Sequence, residues 1–207
     1  KCKKLINESI YSITEFSRDM IKNKNIISCP GCYPTSIQLP IIPLIEKKMI
    51  NTKNIIVDSK SGYSGAGKNI KKKFTHKNLF NSVTAYGVGK HRHLVEINQQ
   101  FTKVNKNKIQ ILFTPHLIPM FRGILSTIYL NYKNGLSAKK IYNFLKHYHK
   151  NNIFVKLDKF NKCLVSPDRW NRSKDIKPYR KIILKNKINI DYVMTSESNV
   201  KLWEDDL

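Results

Sequence analysis

Apolar and polar positions along the chain follow the periods of both strands and helices. The β-branched pair Ile26–Ile27 predicts a short strand, and Pro30–Gly31 predicts a turn. The apolar run over Thr35–Lys48 predicts a buried helix, which Pro40 and Pro43 should kink because each proline removes a backbone donor. This order of strand, turn and helix places the thiol of Cys32, which directly follows the turn, beside a helix N-terminus.

The rest of the chain continues this mixture of strands and helices. Ser137 as N-cap and apolar residues at helical spacing predict a helix that reaches Tyr148. His91 opens another helix that runs to about Lys103, and Pro115–Pro119 predicts an extended loop, because a proline biases its predecessor away from helix. These elements predict an α+β or α/β fold around one mixed sheet. Strands are predicted over residues 54–58, 82–88, 109–114, 123–132 and 153–157, with a hairpin over 180–193.

The position of Cys32 predicts a reactive thiol. Unpaired backbone N–H groups and the positive end of the helix dipole favour a thiolate over a thiol at a helix N-terminus. The structural alternative is an ordinary small buried cysteine. Cys29 makes a Cys-x-x-Cys pair with it, which is also the pattern of thiol–disulfide exchange proteins. Zinc held by Cys29, Cys32, His91 and His93 is a further alternative, although His-x-His is shorter than the usual spacing of structural zinc ligands.

The formal net charge of +24 is the most extreme feature of the composition. Lysines are spread along the whole chain together with many Asn and Ile, residues that A/T-rich codons encode, and the longest basic run is Lys71–Lys73. Because no alternation of basic and aromatic residues accompanies them, we expect no specific nucleic-acid site. No apolar run approaches the roughly 18–20 residues of a membrane span, and the four cysteines do not resemble a secreted disulfide framework. The composition therefore predicts a folded cytoplasmic protein without a membrane partner.

Four ordered motifs carry a resemblance to a known enzyme family. They are Cys-Pro-Gly-Cys-Tyr-Pro-Thr at 29–35, Ser-Gly-Tyr-Ser-Gly-Ala-Gly-Lys at 61–68, His-Arg-His-Leu-Val-Glu-Ile at 91–97 and Phe-Thr-Pro-His-Leu-Ile-Pro-Met-Phe-Arg-Gly-Ile at 113–124, with a fainter match at 11–15. Over residues 11–157 the chain resembles the N-acetyl-γ-glutamyl-phosphate reductases of arginine biosynthesis, which belong to the aspartate-semialdehyde dehydrogenase-like group. The resemblance implies a mixed sheet flanked by helices, as in glyceraldehyde-3-phosphate dehydrogenase-like C-terminal catalytic and dimerisation domains.

The resemblance also implies the chemistry of the site. Cys32 matches the family's nucleophile, which attacks a small acyl phosphate and forms a thioester that NADPH reduces. His93 is the implied general acid–base, with His91 as second choice, and Glu96 would fix the tautomer of His93 from one helical turn away. The implied substrate-binding residues are Arg92 and Arg122, and the implied NADP(H) contacts are Ser61, Gly62, Ser64, Gly65 and Gly67, a segment whose backbone N–H groups would face phosphate or nicotinamide.

The chain departs from the family at both ends. Residues 1–27 contain no Gly-rich turn of the kind that holds a dinucleotide, so we expect them to be the remnant that links to a missing cofactor domain. Residues 28–162 are expected to be the catalytic and dimerisation domain, and residues 163–207 a divergent tail without the family's closing motif. We therefore expect a portion of a homo-oligomeric reductase with incomplete activity alone, and a non-catalytic remnant is the alternative.

Overall fold

A computed structural model describes residues 3–66, 82–157, 180–184 and 189–194. Gly67, Cys2, Cys163 and most of the expected tail lie outside these residues. The helices are α1 (Lys3–Asn7), α2 (Thr14–Ser17), α3 (Cys32–Glu46), α4 (Arg92–Asn105) and α5 (Ala138–Tyr148), with 3-10 turns at Met20–Asn23 and Tyr63–Ala66. The strands are β1 (Ser9–Tyr11), β2 (Ile26–Ser28), β3 (Ile50–Ser61), β4 (Thr84–Ala85), β5 (Ile111–Leu117), β6 (Ile124–Tyr132), β7 (Val155–Leu157), β8 (Arg180–Leu184) and β9 (Asn189–Met194).

Helix α3 occupies the centre of the core, as the apolar run predicted. Every residue from Tyr33 to Ile45 is buried, and the helix packs against α4, α5 and the sheet. It begins three residues earlier than predicted, because Gly31 has an extended backbone and serves as the N-cap. Pro34 is tolerated in the first turn, where the backbone N–H groups have no partner within the helix. None of the described helices has the length and apolarity needed to cross a bilayer.

Two prolines inside α3 leave helix carbonyls without their usual donors. Pro43 has no N–H for the carbonyl of Leu39. The Nε2 of His149, which is fully buried just beyond α5, lies 3.2 Å from that carbonyl oxygen and donates to it. A side chain from a distant helix thus replaces the backbone bond that the sequence of α3 cannot make.

The main sheet has seven strands in the order β4-β5-β3-β6-β9-β8-β7. Strand β3 pairs in parallel with β5 and antiparallel with β6, and β7 pairs in parallel with β8, so the sheet is mixed, as predicted. The hairpin predicted near the C-terminal end is present as β8 and β9, and β9 pairs antiparallel with β6. The hairpin therefore continues the sheet formed by β3, β5 and β6. A separate two-stranded parallel sheet is formed by β1 and β2.

The two faces of the seven-stranded sheet differ in burial. On the inner face, Ser36 of α3 donates to the carbonyl of Tyr33, and its hydroxyl lies 2.8 Å from that of Ser126, which lies 2.7 Å from that of Ser59. Because all three serines are fully buried, each hydroxyl needs the next one as a partner. On the outer face, alternate positions of β3, β5 and β6 leave large apolar side chains exposed, namely Ile56, Leu112 and Tyr129.

Several strands differ from their predicted extent, and β3 is longer at both ends than the predicted 54–58. Strand β4 has only two residues, where a strand over 82–88 was expected, because Gly87 adopts a positive φ of 58° and turns the chain away. Strand β5 continues to Leu117, through a segment predicted as an extended loop. Pro115 is accommodated there because it keeps a register position opposite Ser59 while its carbonyl accepts the N–H of Tyr86.

Candidate active site

The N-terminus of α3 carries Cys32 in the predicted arrangement of strand, turn and helix. Strand β2 ends at Ser28, whose carbonyl accepts the N–H of Ser12 at 3.1 Å, and the turn at Pro30–Gly31 leads directly into the helix. Cys32 is its first residue and is half-buried, whereas Cys29 is exposed. Two thiols of different accessibility therefore lie within four residues.

The thiol of Cys32 does not have the depressed pKa that its position predicted. Burial raises its pKa above the ordinary value for cysteine, and Glu96 adds to this effect. The backbone N–H groups of Tyr33 and Cys32 and the charge of Arg92 act in the predicted direction, but burial outweighs them. The prediction failed because the packing around α3, which buries the thiol, depends on contacts that are distant in sequence. Burial thus favours the protonated form of the Cys32 thiol.

The imidazole of His93 lies directly on the turn that precedes Cys32. A Cβ built on Gly31 would lie 2.6 Å from Cε1 of His93 and still closer to Nε2, so only glycine fits beneath this ring. Burial lowers the pKa of His93 and Arg92 lowers it further, whereas Glu96 raises it. Its Nδ1 is buried and has no hydrogen-bond partner among the described residues. An imidazole whose neutral form is favoured by burial, with a nitrogen that has no described partner, is thus held against the turn that precedes Cys32.

Glu96 contacts a different pair of groups from the one expected. Its Oε1 accepts the hydroxyl of Tyr11 at 2.6 Å and the N–H of Gly31 at 3.1 Å. The expected hydrogen bond from His93 to Glu96 is not seen among the described residues, where Nδ1 of His93 has no partner and Glu96 acts on His93 only electrostatically. The carboxylate instead connects α4 to strand β1 and to the N-cap of α3.

His91 forms the N-cap of α4. Its Nδ1 accepts the N–H of His93 at 3.2 Å, which requires this nitrogen to be unprotonated. Its ring makes edge contacts with Tyr33 at 5.3 Å and Phe113 at 5.5 Å between centroids. Burial lowers the pKa of His91, and this favours the neutral form that the cap needs. The geometry is that of a structural cap beside the site, and an acid–base role stays a prediction.

Two tyrosines complete the site and were not singled out by sequence reasoning. The hydroxyls of Tyr33 and Tyr86 lie 2.7 Å apart. Burial raises the pKa of Tyr33, the neighbouring Tyr86 raises it further, and a hydrogen bond from Ser61 lowers it. Tyr33 lies within the first motif, next to the cysteine, so its position in that motif was the available signal.

The glycine-rich segment is bound to the neighbouring loop. The N–H groups of Gly62, Tyr63 and Ser64 donate to carbonyls of residues 120–123 at 2.9, 3.0 and 2.9 Å. A Cβ on Gly62 would lie 2.7 Å from the carbonyl oxygen of Met120, so this close approach requires glycine. The N–H of Gly65 lies 3.4 Å from the carbonyl of Gly62. These described N–H groups are therefore engaged within the fold and do not face a phosphate, contrary to expectation, and a cofactor contact by other atoms of the segment stays a prediction.

The two candidate substrate-binding arginines occupy different places. Arg92 is exposed at the start of α4. Its positive charge lowers the pKa of both Cys32 and His93, so it contributes to the electrostatic potential at the site. Arg122 lies on the loop that binds the glycine segment, with its guanidinium 5.2 Å from the ring centroid of Phe121. The structure thus brings Arg92 to the thiol and imidazole and holds Arg122 on the adjacent loop.

The zinc alternative finds no support in the arrangement of its ligands. The structure describes Cys29, Cys32, His91 and His93, and within the described ranges no three His, Cys, Asp or Glu residues are grouped as a metal site.

Comparison with known proteins identifies the family. A family model described as semialdehyde dehydrogenase, dimerisation domain, matches residues 32–190, which is well over half of the chain. The chain belongs to this family. As a dimerisation-domain protein it has the mixed sheet flanked by helices that the motifs implied, and the match extends through β8 to the start of β9.

The relatives of this dimerisation-domain chain confirm the resemblance stated from the four motifs. It is 44% identical over 148 residues to the N-acetyl-gamma-glutamyl-phosphate reductase of Thermoanaerobacter pseudethanolicus, an alignment covering 72% of the chain and 43% of that protein. It is 41% identical over 157 residues to a probable chloroplastic N-acetyl-gamma-glutamyl-phosphate reductase of Arabidopsis thaliana, covering 76% of the chain and 39% of that protein. The chain therefore spans about two fifths of the length of these relatives.

Solved structures agree on the fold. Aspartate semialdehyde dehydrogenase II from Vibrio cholerae matches with a TM-score of 0.64 at 14% identity, over 91% of this chain and 63% of that one. The aspartate semialdehyde dehydrogenase of Francisella tularensis matches with a TM-score of 0.66 at 12% identity, over 91% and 66%. At these identities the likeness extends to the architecture alone.

Proposed function

We propose that this chain is the catalytic portion of a reductase that acts on N-acetyl-γ-glutamyl phosphate in arginine biosynthesis. The observation that carries the proposal is the buried, unpartnered Nδ1 of His93 in a ring that rests on the turn before Cys32. A nucleophile needs a nearby base, and an unused imidazole nitrogen beside a helix-terminal thiol supplies one. The names of the relatives support the choice of substrate.

The proposed first step begins from a neutral thiol and a neutral imidazole. The S–H proton of Cys32 passes to His93 while the sulfur forms a bond to the acyl carbon. The tetrahedral intermediate then expels inorganic phosphate with the bonding pair of the C–O bond, which leaves a thioester on Cys32. Burial, which raises the pKa of Cys32 and lowers that of His93, favours this neutral pair over a preformed ion pair.

The charge around the site suits an anionic substrate. Arg92 is exposed and acts electrostatically on both Cys32 and His93, so a phosphate that arrives between them would meet a guanidinium able to bind two of its oxygens. Arg122 is proposed as the second cationic contact. The excess of 24 positive charges attracts a small polyanion at long range, even without a dedicated channel.

Reduction of the thioester needs a hydride donor, for which we propose NADPH. The N–H groups of Gly62, Tyr63 and Ser64 donate to carbonyls of residues 120–123 and are not available to its phosphates. Residues of the relatives outside the matched two fifths are the proposed source of the cofactor site.

The outer face of the main sheet is the proposed surface for self-association. Its exposed apolar side chains, Ile56, Leu112 and Tyr129, come from three adjacent strands. A contiguous apolar surface of this kind is characteristic of an interface. The family's description as a dimerisation domain supports a second copy of the chain as the partner.

The test of the proposed reaction is acyl transfer without cofactor. The purified chain is mixed with N-acetyl-γ-glutamyl phosphate, and released phosphate and the mass of each cysteine peptide are followed. One equivalent of phosphate and an N-acetylglutamyl adduct on Cys32 are expected, and both should be lost in Cys32→Ser but kept in Cys29→Ser. An adduct on Cys29, or no adduct in a folded chain, would overturn the proposal.

A further inference from the structure

We propose that Tyr11 and Gln38 act with Glu96 as a carboxylate clamp that positions the turn carrying Cys32. The inference rests on the proposed function, because it assigns a positioning role for the same nucleophile. The three residues come from β1, α3 and α4, and the clamp joins these elements at the N-cap of α3. None of the three is proposed to touch the substrate.

The direction of every hydrogen bond in the clamp follows from its donors and acceptors. The hydroxyl of Tyr11 lies 2.6 Å from Oε1 of Glu96, and an ionised carboxylate only accepts, so the hydroxyl donates to it. The single hydroxyl proton is then used, so Tyr11 accepts from Nε2 of Gln38 at 3.0 Å. The N–H of Gly31 donates to the same carboxylate oxygen at 3.1 Å. Two donors therefore hold one carboxylate oxygen in place.

Gln38 is buried, so leaving its side-chain amide without the hydrogen bond that Tyr11 accepts would cost free energy. Its side chain is 1% exposed in a helix whose other inward residues are largely aliphatic, and a buried amide without a partner costs about 1–3 kcal/mol. Among the described hydrogen bonds, Tyr11 is the partner of its amide N–H. A polar residue at this position is therefore explained by the clamp and not by the packing of α3.

The clamp acts on Cys32 through Gly31. The amide of Gly31 is held from one side by Glu96, and its Cα is covered from the other by the ring of His93. Fixing Gly31 orients the first N–H groups of α3, those of Cys32 and Tyr33, toward the sulfur, where they lower the thiol pKa. A looser turn would weaken these bonds, and the thiolate would form at higher pH.

Three variants separate positioning from charge. Tyr11→Phe removes the hydroxyl and leaves the carboxylate, so the N–H groups lose alignment and the pH midpoint of Cys32 alkylation should rise. Glu96→Gln keeps an oxygen for both Tyr11 and Gly31 but removes a charge that opposes the thiolate, so the midpoint should fall. Tyr148→Phe is the matched control, because its hydroxyl also pairs with a glutamate, Glu46 at 3.4 Å, away from Cys32.

The measurement is the rate of iodoacetamide labelling of the Cys32 peptide, followed by mass spectrometry between about pH 6 and pH 10, with folding checked by circular dichroism. At about pH 7.5 labelling of Tyr11→Phe should be slower than wild type by ~3–10-fold, which corresponds to a rise of the midpoint by up to about one pH unit. Tyr148→Phe should overlay wild type.

Either of two results would overturn the clamp: a folded Tyr11→Phe whose profile matches wild type, or equal shifts in Tyr11→Phe and Tyr148→Phe. A midpoint that falls in Tyr11→Phe as it does in Glu96→Gln would also count against it. Because labelling involves no acyl phosphate, a failure of the clamp is distinct from a failure of acyl transfer in the wild-type chain.

Discussion

Protonation of His149 is expected to destabilise the chain at mildly acidic pH. The ring is 2% exposed, donates from Nε2 to the carbonyl of Leu39 at 3.2 Å and pairs through Nδ1 with the amide of Asn152 at 3.0 Å. Arg18 donates to the oxygen of that amide at 3.3 Å, which keeps the NH₂ group directed at the ring. A proton on Nδ1 would therefore face a donor and a nearby cation.

The magnitude follows from the difference between folded and unfolded pKa. Burial lowers the pKa of His149 from 6.5 to about 4 in the folded chain. Since the folded state binds the proton more weakly, stability is complete above about pH 6.5 and falls as the pH decreases toward 4. At about 1.4 kcal/mol per pH unit the loss is ~2 kcal/mol at about pH 5 and ~3 kcal/mol once both pKa values have been passed.

The assay is urea unfolding followed by circular dichroism at fixed ionic strength between about pH 7.5 and pH 4.5. His149→Gln removes this titration, and His147→Gln, which changes an exposed histidine near the end of α5, is the matched control. As the pH is lowered, the free energy of unfolding should decrease equally for wild type and His147→Gln. For His149→Gln the decrease should be smaller, by ~2 kcal/mol at about pH 5. If His149→Gln declines as steeply as wild type, His149 does not titrate in the folded chain as inferred.

Further predictions address the cofactor, helix end, interface and charge. NADPH fluorescence should show no saturable binding tighter than about 100 μM to the chain alone, and tighter binding would contradict the expectation that the cofactor is held mainly by residues outside this chain. Lys48 lies just after α3 with a φ of 53°, a conformation that glycine adopts more readily than lysine. The substitution Lys48→Gly should therefore stabilise the chain by about 0.5–1 kcal/mol in thermal unfolding, whereas Lys47→Gly, at a φ of −86°, should not. Leu112→Glu on the outer sheet face should shift sedimentation equilibrium toward monomer, whereas Ile153→Glu, equally exposed elsewhere, should not. Binding to duplex DNA should vanish at about 150 mM salt, and retention there would indicate a specific site.

Features determined by local patterning were predicted from the sequence. Helix α5 begins after the Ser137 N-cap, whose hydroxyl accepts the N–H of Lys140, and it ends at Tyr148 as expected. The strand predicted over 123–132 from its period-two pattern is β6, which begins one residue later, and the apolar run from Thr35 predicted α3. These elements depend on propensity, capping and periodicity within a dozen residues, which are visible in one sequence.

Features that depend on distant contacts were not predicted. Helical spacing placed Glu96 within reach of His93, but its oxygen is taken by partners 65 and 85 positions away in the chain, which no local pattern reveals. The pKa of Cys32 was misjudged for the same reason, because burial is a property of the whole core. The cofactor role of Gly67 and the domain boundaries at 27 and 162 stay predictions, as do the catalytic roles of Cys32 and His93.

The unusual sequence of α3 is explained by what it must hold at its N-terminus. A helix buried from Tyr33 to Ile45 has no water to satisfy its polar groups, so each group needs a protein partner. Ser36 finds one on the sheet, Gln38 on β1 and the carbonyl of Leu39 beyond α5. Because these hydrogen bonds connect α3 to three different parts of the fold, they fix both its rotation about its own axis and its position along that axis. Cys32, as its first residue, is therefore positioned by the whole domain, and a change that displaces α3 should alter the thiol before it unfolds the chain.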